Sequence, residues 1–270
     1  MTIGVFDSGI GGLTVLKHLV RVLPEYDMLY LGDNARAPYG DRSADRIYEF
    51  TQQAVAHLFE EGCALVILAC NTASSEALRR LQQEFLPSHF PDRRILGILI
   101  PAAELIEKKY AQKNIGIIGT RATVQSNAYL REIEKRGMAQ KKVTQIPCPL
   151  LVPLIEEGWQ DTPPGRQILK KYLYPLKQKQ VDVLVLGCTH YALIKDRVAR
   201  IMGKKVAVID TGSAAAASLK KYLSCHPEIE KTLSKNSAVR LLSTDTSERI
   251  CSLVQRYWGS ALPIEQITLE

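Results

Sequence analysis

Eight short apolar runs punctuate the chain: TIGVFD (2–7), DMLYLGD (27–33), ALVILA (64–69), RILGIL (94–99), NIGIIG (114–119), KVTQIP (142–147), DVLVLG (182–187) and KVAVID (205–210). They are continuous runs, not alternations of apolar and polar positions, which suits strands buried on both faces of a parallel sheet. Helical signals fill the gaps. Ser43 stands where it can cap a helix running to Gly62, with Ile47, Phe50, Val55, Leu58 and Phe59 available for its buried side. Asn127 to Gly137 reads as another helix, and Pro163 and Pro164 open one that reaches about residue 179. Ser213 precedes an alanine-rich helix, and TSERICSLVQRYW (246–258) makes the last. Strand–helix alternation of this kind predicts α/β units with right-handed crossovers.

The pattern occurs twice. LVILACNT (65–72) and VLVLGCTH (183–190) are both apolar runs that stop at a cysteine, Cys70 and Cys188, 118 residues apart. Upstream, IGVFDSG (3–9) resembles IGIIGTR (115–121). Gly4 to Cys70 is 66 residues and Gly116 to Cys188 is 72, each half reading strand, loop, helix, strand, helix, strand, cysteine. The expected fold is α/β with two pseudo-symmetric domains, each a mostly parallel sheet flanked by helices, and an active site in the cleft between them. The segment after the second half can complete the first domain. Residues 1–97 with 211–270 would then form a discontinuous first domain and 98–210 the second.

Ligands of parallel α/β sheets bind at the carboxyl ends of strands, where Cys70 and Cys188 both sit. Helices are expected after each, over 72–85 and 191–202. A helix N-terminus presents free N–H groups and a positive dipole end, which suit a carboxylate and lower a thiol's pKa, while burial raises it. Two thiols facing one carbon from opposite sides can invert a stereocentre, one removing a proton as thiolate and the other returning one as thiol. FDSGIGGLTVL (6–16) places Asp7 and Ser8 at the end of the first strand, where Asp7 can hold an ammonium group or orient a thiol and Ser8 can bind a carboxylate. The glycines match neither GxGxxG nor a phosphate-binding GK[ST] loop and read as a tight turn. In GDNARAPYG (32–40), Tyr39-Gly40 offer backbone donors from a polar loop.

At 270 residues, 46% hydrophobic and 23% charged, the chain has room for a large core and an ordinary globular profile. The net charge of +7 is scattered rather than blocked, so a solvated surface is expected and nucleic acid is not an expected partner. No run approaches a membrane span, and no basic, apolar leader precedes the first strand, so a cytoplasmic location is expected. None of the six cysteines forms a CxxC pair, and a disulfide framework is not expected. Zinc on Cys70, Cys188 and His190 lacks an evident fourth ligand. Cys63, Cys148, Cys225 and Cys251 read as small buried hydrophobes.

The motifs GVFDSGIGGLTVL, YLGDNARAPYG, ACNTAS, LVPLIEEG and GCTHY, in order over residues 4 to 191, closely resemble those of the aspartate/glutamate racemase family. The resemblance implies a cofactor-independent isomerase with a small-molecule substrate. Its reaction would interconvert L- and D-glutamate and supply D-glutamate for peptidoglycan in a bacterium. It also implies catalytic acid/base thiols at Cys70 and Cys188. The substrate-binding pairs it implies are Asp7-Ser8, Tyr39-Gly40, Asn71-Thr72 and Thr189-His190, with a further contact at Thr123. Asp7, Glu156 and His190 match polar groups that tune the thiols. A homodimer is the assembly it suggests. Alternatives within its reach are a racemase acting on aspartate or another amino acid and a DNA gyrase-inhibiting binding role. Relatives activated by a cell-wall precursor carry a segment before the first strand, and activation of that kind is not expected here.

Overall fold

A computed structural model describes residues 1–138 and 143–269. Its strands are β1 (Thr2–Asp7), β2 (Met28–Gly32), β3 (Cys63–Leu68), β4 (Arg94–Gly97), β5 (Ile115–Gly119), β6 (Val143–Pro147), β7 (Val183–Gly187), β8 (Ala207–Asp210), β9 (Val239–Ser243) and β10 (Ile264–Gln266). They form two sheets, in the orders β10-β9-β2-β1-β3-β4 and β6-β5-β7-β8. Every ladder is parallel. The run β2-β1-β3-β4 has the same order of connection as β6-β5-β7-β8, so the repeat in the sequence is a repeat of topology. β9 and β10 extend only the first sheet.

Burial follows position in the sheet. Central strands such as β3, β5 and β7 are buried along their whole length. The edge strand β6 is half-buried, because it has a neighbour on one side only. That limits the expectation of burial on both faces. Lys142, placed at the start of this strand from sequence, lies outside the described residues.

Two helices carry the chain between the sheets. The run 94–99 ends as a strand at Gly97, and the helix Leu99–Tyr110 begins where it was expected to continue. The alanine-rich helix runs Thr211–Cys225, earlier than Ser213 suggests, because the Asp210 carboxylate accepts the N–H of Gly212 at 2.9 Å and caps it. These two helices pack together, with Ala102, Ala103, Ala215 and Ala216 buried, and one apolar cluster runs through both halves of the molecule. Small side chains let the helices approach closely and set the two sheets against each other.

Two expectations about the cysteines fail. Cys225, at the end of the crossover helix, and Cys251, on the last helix Glu248–Trp258, are exposed. The apolar faces of these helices are supplied by Leu219 and Leu223, and by Ile250, Leu253, Val254 and Tyr257, which turn the thiols outward. Ser43 does occupy the N-cap position of the helix Ala44–Glu60, but its side chain makes no capping hydrogen bond.

Candidate active site

The ends of β1, β3 and β7 converge on one cavity of about 360 Å³, and both Cys70 and Cys188 line it. They come from different sheets and are 5% and 7% exposed. Cys70 caps the helix Asn71–Glu76, its Sγ accepting the N–H of Ala73 at 3.4 Å and lying 3.3 Å from Ser8 Oγ. The single helix expected over 72–85 is instead broken at Ala77 and widened by a π turn at Leu81–Phe85. Pro87, with no N–H to offer the preceding turn, stands just beyond it. On the other side a 3-10 turn, Thr189–Ile194, precedes the helix Lys195–Met202. The backbone N–H groups of His190 and Tyr191 pull the Cys188 thiol's pKa down, although its side chain accepts no capping hydrogen bond.

Burial decides the resting state of both thiols. It pushes Cys70 up to about 11, and the nearby Asp7 charge adds to this, against the hydrogen bonds from Ser8 and Ala73. Cys188 is raised further, again by burial first and then by Cys70 and Asp7. The helix-end lowering anticipated from sequence is present, but in a closed site desolvation outweighs it. Each thiol is therefore neutral at rest and within electrostatic reach of the other.

Asp7 stands behind the cavity wall, 1% exposed. Its carboxylate accepts the N–H of Gly9 at 3.1 Å and the hydroxyl of Thr189 at 3.4 Å. Burial raises its pKa despite the opposing pull of His190. The glycines beside it do more than turn the chain. A Cβ on Gly11 would come 2.3 Å from Thr189 Oγ1 and 2.4 Å from His190 Nδ1, and one on Gly12 would come 2.4 Å from Asp7 Cβ. Hydrogen at these positions is what lets the loop after β1 lie against the loop after β7. Thr14 ties the two together, donating to the Thr189 carbonyl at 3.0 Å.

The loop bearing Tyr39 and Gly40 lines the cavity from the first sheet. Asp33 anchors it, accepting from Tyr39 Oη at 2.5 Å, Arg36 Nε at 2.7 Å and Thr244 Oγ1 at 2.9 Å. Ser8, Asn71, Thr72, Thr189, His190 and Glu156 also reach the cavity. Thr123 does not, and sits behind the wall, 3.3 Å from Thr72 Oγ1 and 3.0 Å from Thr120 Oγ1. Glu156 Oε1 lies 2.9 Å from His190 Nε2. Burial raises Glu156, but His190 and Arg249 outweigh it and hold the carboxyl below its usual range.

Sequence reading missed Thr120, Cys148 and Arg249, all on the cavity wall. Thr120 ends β5 as Cys188 ends β7, a signal the repeat could have yielded. Arg249 arrives from the last helix, with no local pattern to mark it. Among the described residues no group of three or more His, Cys, Asp or Glu side chains is arranged to hold a metal ion.

Two buried cysteines from different sheets thus line one cavity between two sheets of the same topology, and known proteins share the fold. A model of the family described as Asp/Glu/Hydantoin racemase matches residues 3–219. A glutamate racemase of Persephonella marina is 39% identical over 271 residues, covering 100% of this chain and 98% of that protein. The structure of a glutamate racemase isoform from Bacillus anthracis superposes with a TM-score of 0.88 at 31% identity, covering 99% of this chain and 97% of that one. That of the Francisella tularensis glutamate racemase in complex with D-glutamate has a TM-score of 0.88 at 33% identity, covering 100% and 98%. With its motifs, fold and overall length all matched, the chain belongs to the Asp/Glu/Hydantoin racemase family.

Proposed function

We propose that the chain is an isomerase that interconverts L- and D-glutamate by a two-base proton transfer at Cα, and so supplies D-glutamate for peptidoglycan. The observation that carries the reading is the pair of buried thiols, one from each domain, on a single cavity. The similarity to glutamate racemases over nearly the whole chain supports the substrate.

The chemistry follows from the electrostatics. With Cys70 pushed up to about 11, roughly one such thiol in a thousand is ionised at pH 8 in the open site. A bound amino acid changes that balance, because its ammonium group adds a positive charge beside Cys70 and Cys188. In this reading Asp7, whose charge bears on both thiols, and His190, on the same cavity as Cys188, accept a thiol proton. The thiolate on one side takes the Cα proton, and the electron pair of the broken C–H bond delocalises into the substrate carboxylate. The opposite thiol then gives its proton to the other face, forming the new C–H bond. Ser8, Tyr39-Gly40, Asn71-Thr72 and Thr189-His190 hold the substrate in this reading, with Thr123 acting through Thr72 and Asp7 through Gly9 and Thr189. The domain division at 97 and 210 fits the two points where the chain passes between sheets. A cytoplasmic setting fits six unpaired cysteines, and among the described residues no helix is long and apolar enough to cross a membrane.

The test is incubation of pure protein with L-glutamate in heavy water, with L-aspartate in parallel. Optical rotation of the glutamate sample should fall to zero without added cofactor, each inverted molecule carrying deuterium at Cα. Unchanged rotation with glutamate would sink the proposal, and faster turnover of aspartate would reassign the substrate.

A further inference from the structure

The carboxylate of Glu156 is shared between two partners. One oxygen faces His190 Nε2 at 2.9 Å, and the other accepts from Arg249 Nη2 at 2.8 Å. Arg249 belongs to the helix Glu248–Trp258, beyond the residues that the family model matches and packed with the first sheet's half of the chain. Glu156 and His190 belong to the second. The same helix makes two further contacts with this corner. Arg256 donates to the carbonyls of Ile155 at 2.7 Å and Glu156 at 2.9 Å, at the end of the helix Leu151–Glu156. The Tyr257 ring meets the His190 ring edge-on, with centroids 5.7 Å apart. Positions 249, 256 and 257 are seven and eight residues apart, which puts them on one face of the helix.

We propose that Arg249 is a positioning residue: by holding Glu156 it fixes the carboxylate that orients the His190 imidazole in the cavity that Cys188 also lines. This rests on the glutamate racemase reading for its kinetic consequence, but not for its geometry. An ion pair whose arginine is 56% exposed contributes little to stability. Its effect is on direction. Glu156 is itself 20% exposed, so without Arg249 the carboxylate can turn to water and release His190. Imidazole orientation is then lost where a thiol proton must be passed over a short distance.

The test is a double-mutant cycle on the full chain, read with L-glutamate and by nitrogen-15 NMR of the histidine side chains. Arg249→Gln should lower kcat about tenfold and leave KM within about twofold, as expected when geometry rather than binding is lost. Arg249→Lys should recover most of the loss, because a single arginine nitrogen makes both carboxylate contacts and an ammonium group can replace it. Arg249→Gln combined with Glu156→Gln should be no slower than Glu156→Gln alone. In the resting protein the His190 Nε2–H signal, assigned with His190→Gln, should be slow to exchange in the parent and in Arg249→Lys, and fast in Arg249→Gln. Additive losses, an effect on KM alone, or an unchanged His190 signal in Arg249→Gln would each overturn the proposal. If the parent fails to racemise glutamate, the functional reading fails instead, and the NMR signal decides the positioning role by itself.

Discussion

Tyr129 and Asn71 lie in different domains, and the phenol of one donates to the side-chain oxygen of the other at 2.8 Å. Both are buried, at 0% and 2% exposed. The bond fixes which end of the Asn71 amide faces Tyr129 and turns its nitrogen toward Thr211 Oγ1, 3.4 Å away. Tyr129→Phe leaves a buried amide oxygen unsatisfied, a cost of about 1–3 kcal/mol. The melting temperature should fall by roughly 2–4 °C per kcal/mol at this size, and KM for glutamate should rise about threefold as Asn71 loses its orientation. Melting curves and initial rates check both, and parent-like values in each would remove Asn71 from the binding set.

Gly11→Ala tests the close approach of the two domains at the site. Its Cβ would overlap Thr189 Oγ1 and His190 Nδ1, so the loops after β1 and β7 must part. Displacement of about 1 Å at reacting groups costs on the order of a hundredfold in rate. Turnover should fall by about that factor while far-ultraviolet circular dichroism stays parent-like.

Cys70→Ser and Cys188→Ser should each reduce turnover by about a thousandfold or more, since a hydroxyl is a far poorer acid and base than a thiol at neutral pH. The enantiomers are of equal free energy, so kcat/KM must fall equally in the two directions in every variant. Any asymmetry between the two thiols will appear in kcat and KM taken separately, and in the isotope effect on each direction. Either serine variant retaining a tenth of parent activity would argue against a two-thiol mechanism.

Alkaline pH should loosen the fold through the buried thiols. Burial holds Cys63 and Cys70 each up to about 11, from the usual 9.0. Below pH 9 folded and unfolded chains both keep these protons. Above it the unfolded chain releases them first, so stability falls as pH rises from 9 to about 11. Urea midpoints across that window should decline, and less steeply in Cys63→Ser. Alkylation of Cys70 by iodoacetamide in the substrate-free protein should rise about tenfold per pH unit from 7 to 10. A plateau below pH 9 would show a thiolate already formed at rest.

Much of this protein was legible along the chain because its central strands are buried on both faces and read as unbroken apolar runs. β9 and β10 were not. β9 is interrupted by Arg240, which lies at the surface between Glu61 and Glu265. β10 is three residues long at a sheet edge, too short to show a period. The cysteine endings stood out because they occur twice in one context, whereas Arg249 sits in an ordinary amphipathic helix.

The sequence by itself determined the alternation of strands and helices, the repeated strand-to-cysteine endings and the glycine turn after β1. These are local properties, set by burial period, capping and chain geometry. Only the tertiary structure decided that the thiols are neutral at rest, that Gly11 is needed for contact rather than for turning, and that Arg249 reaches Glu156 from a distant helix. Each depends on how deeply a group is desolvated and on what packs against it, and those are set when the two sheets close on one another.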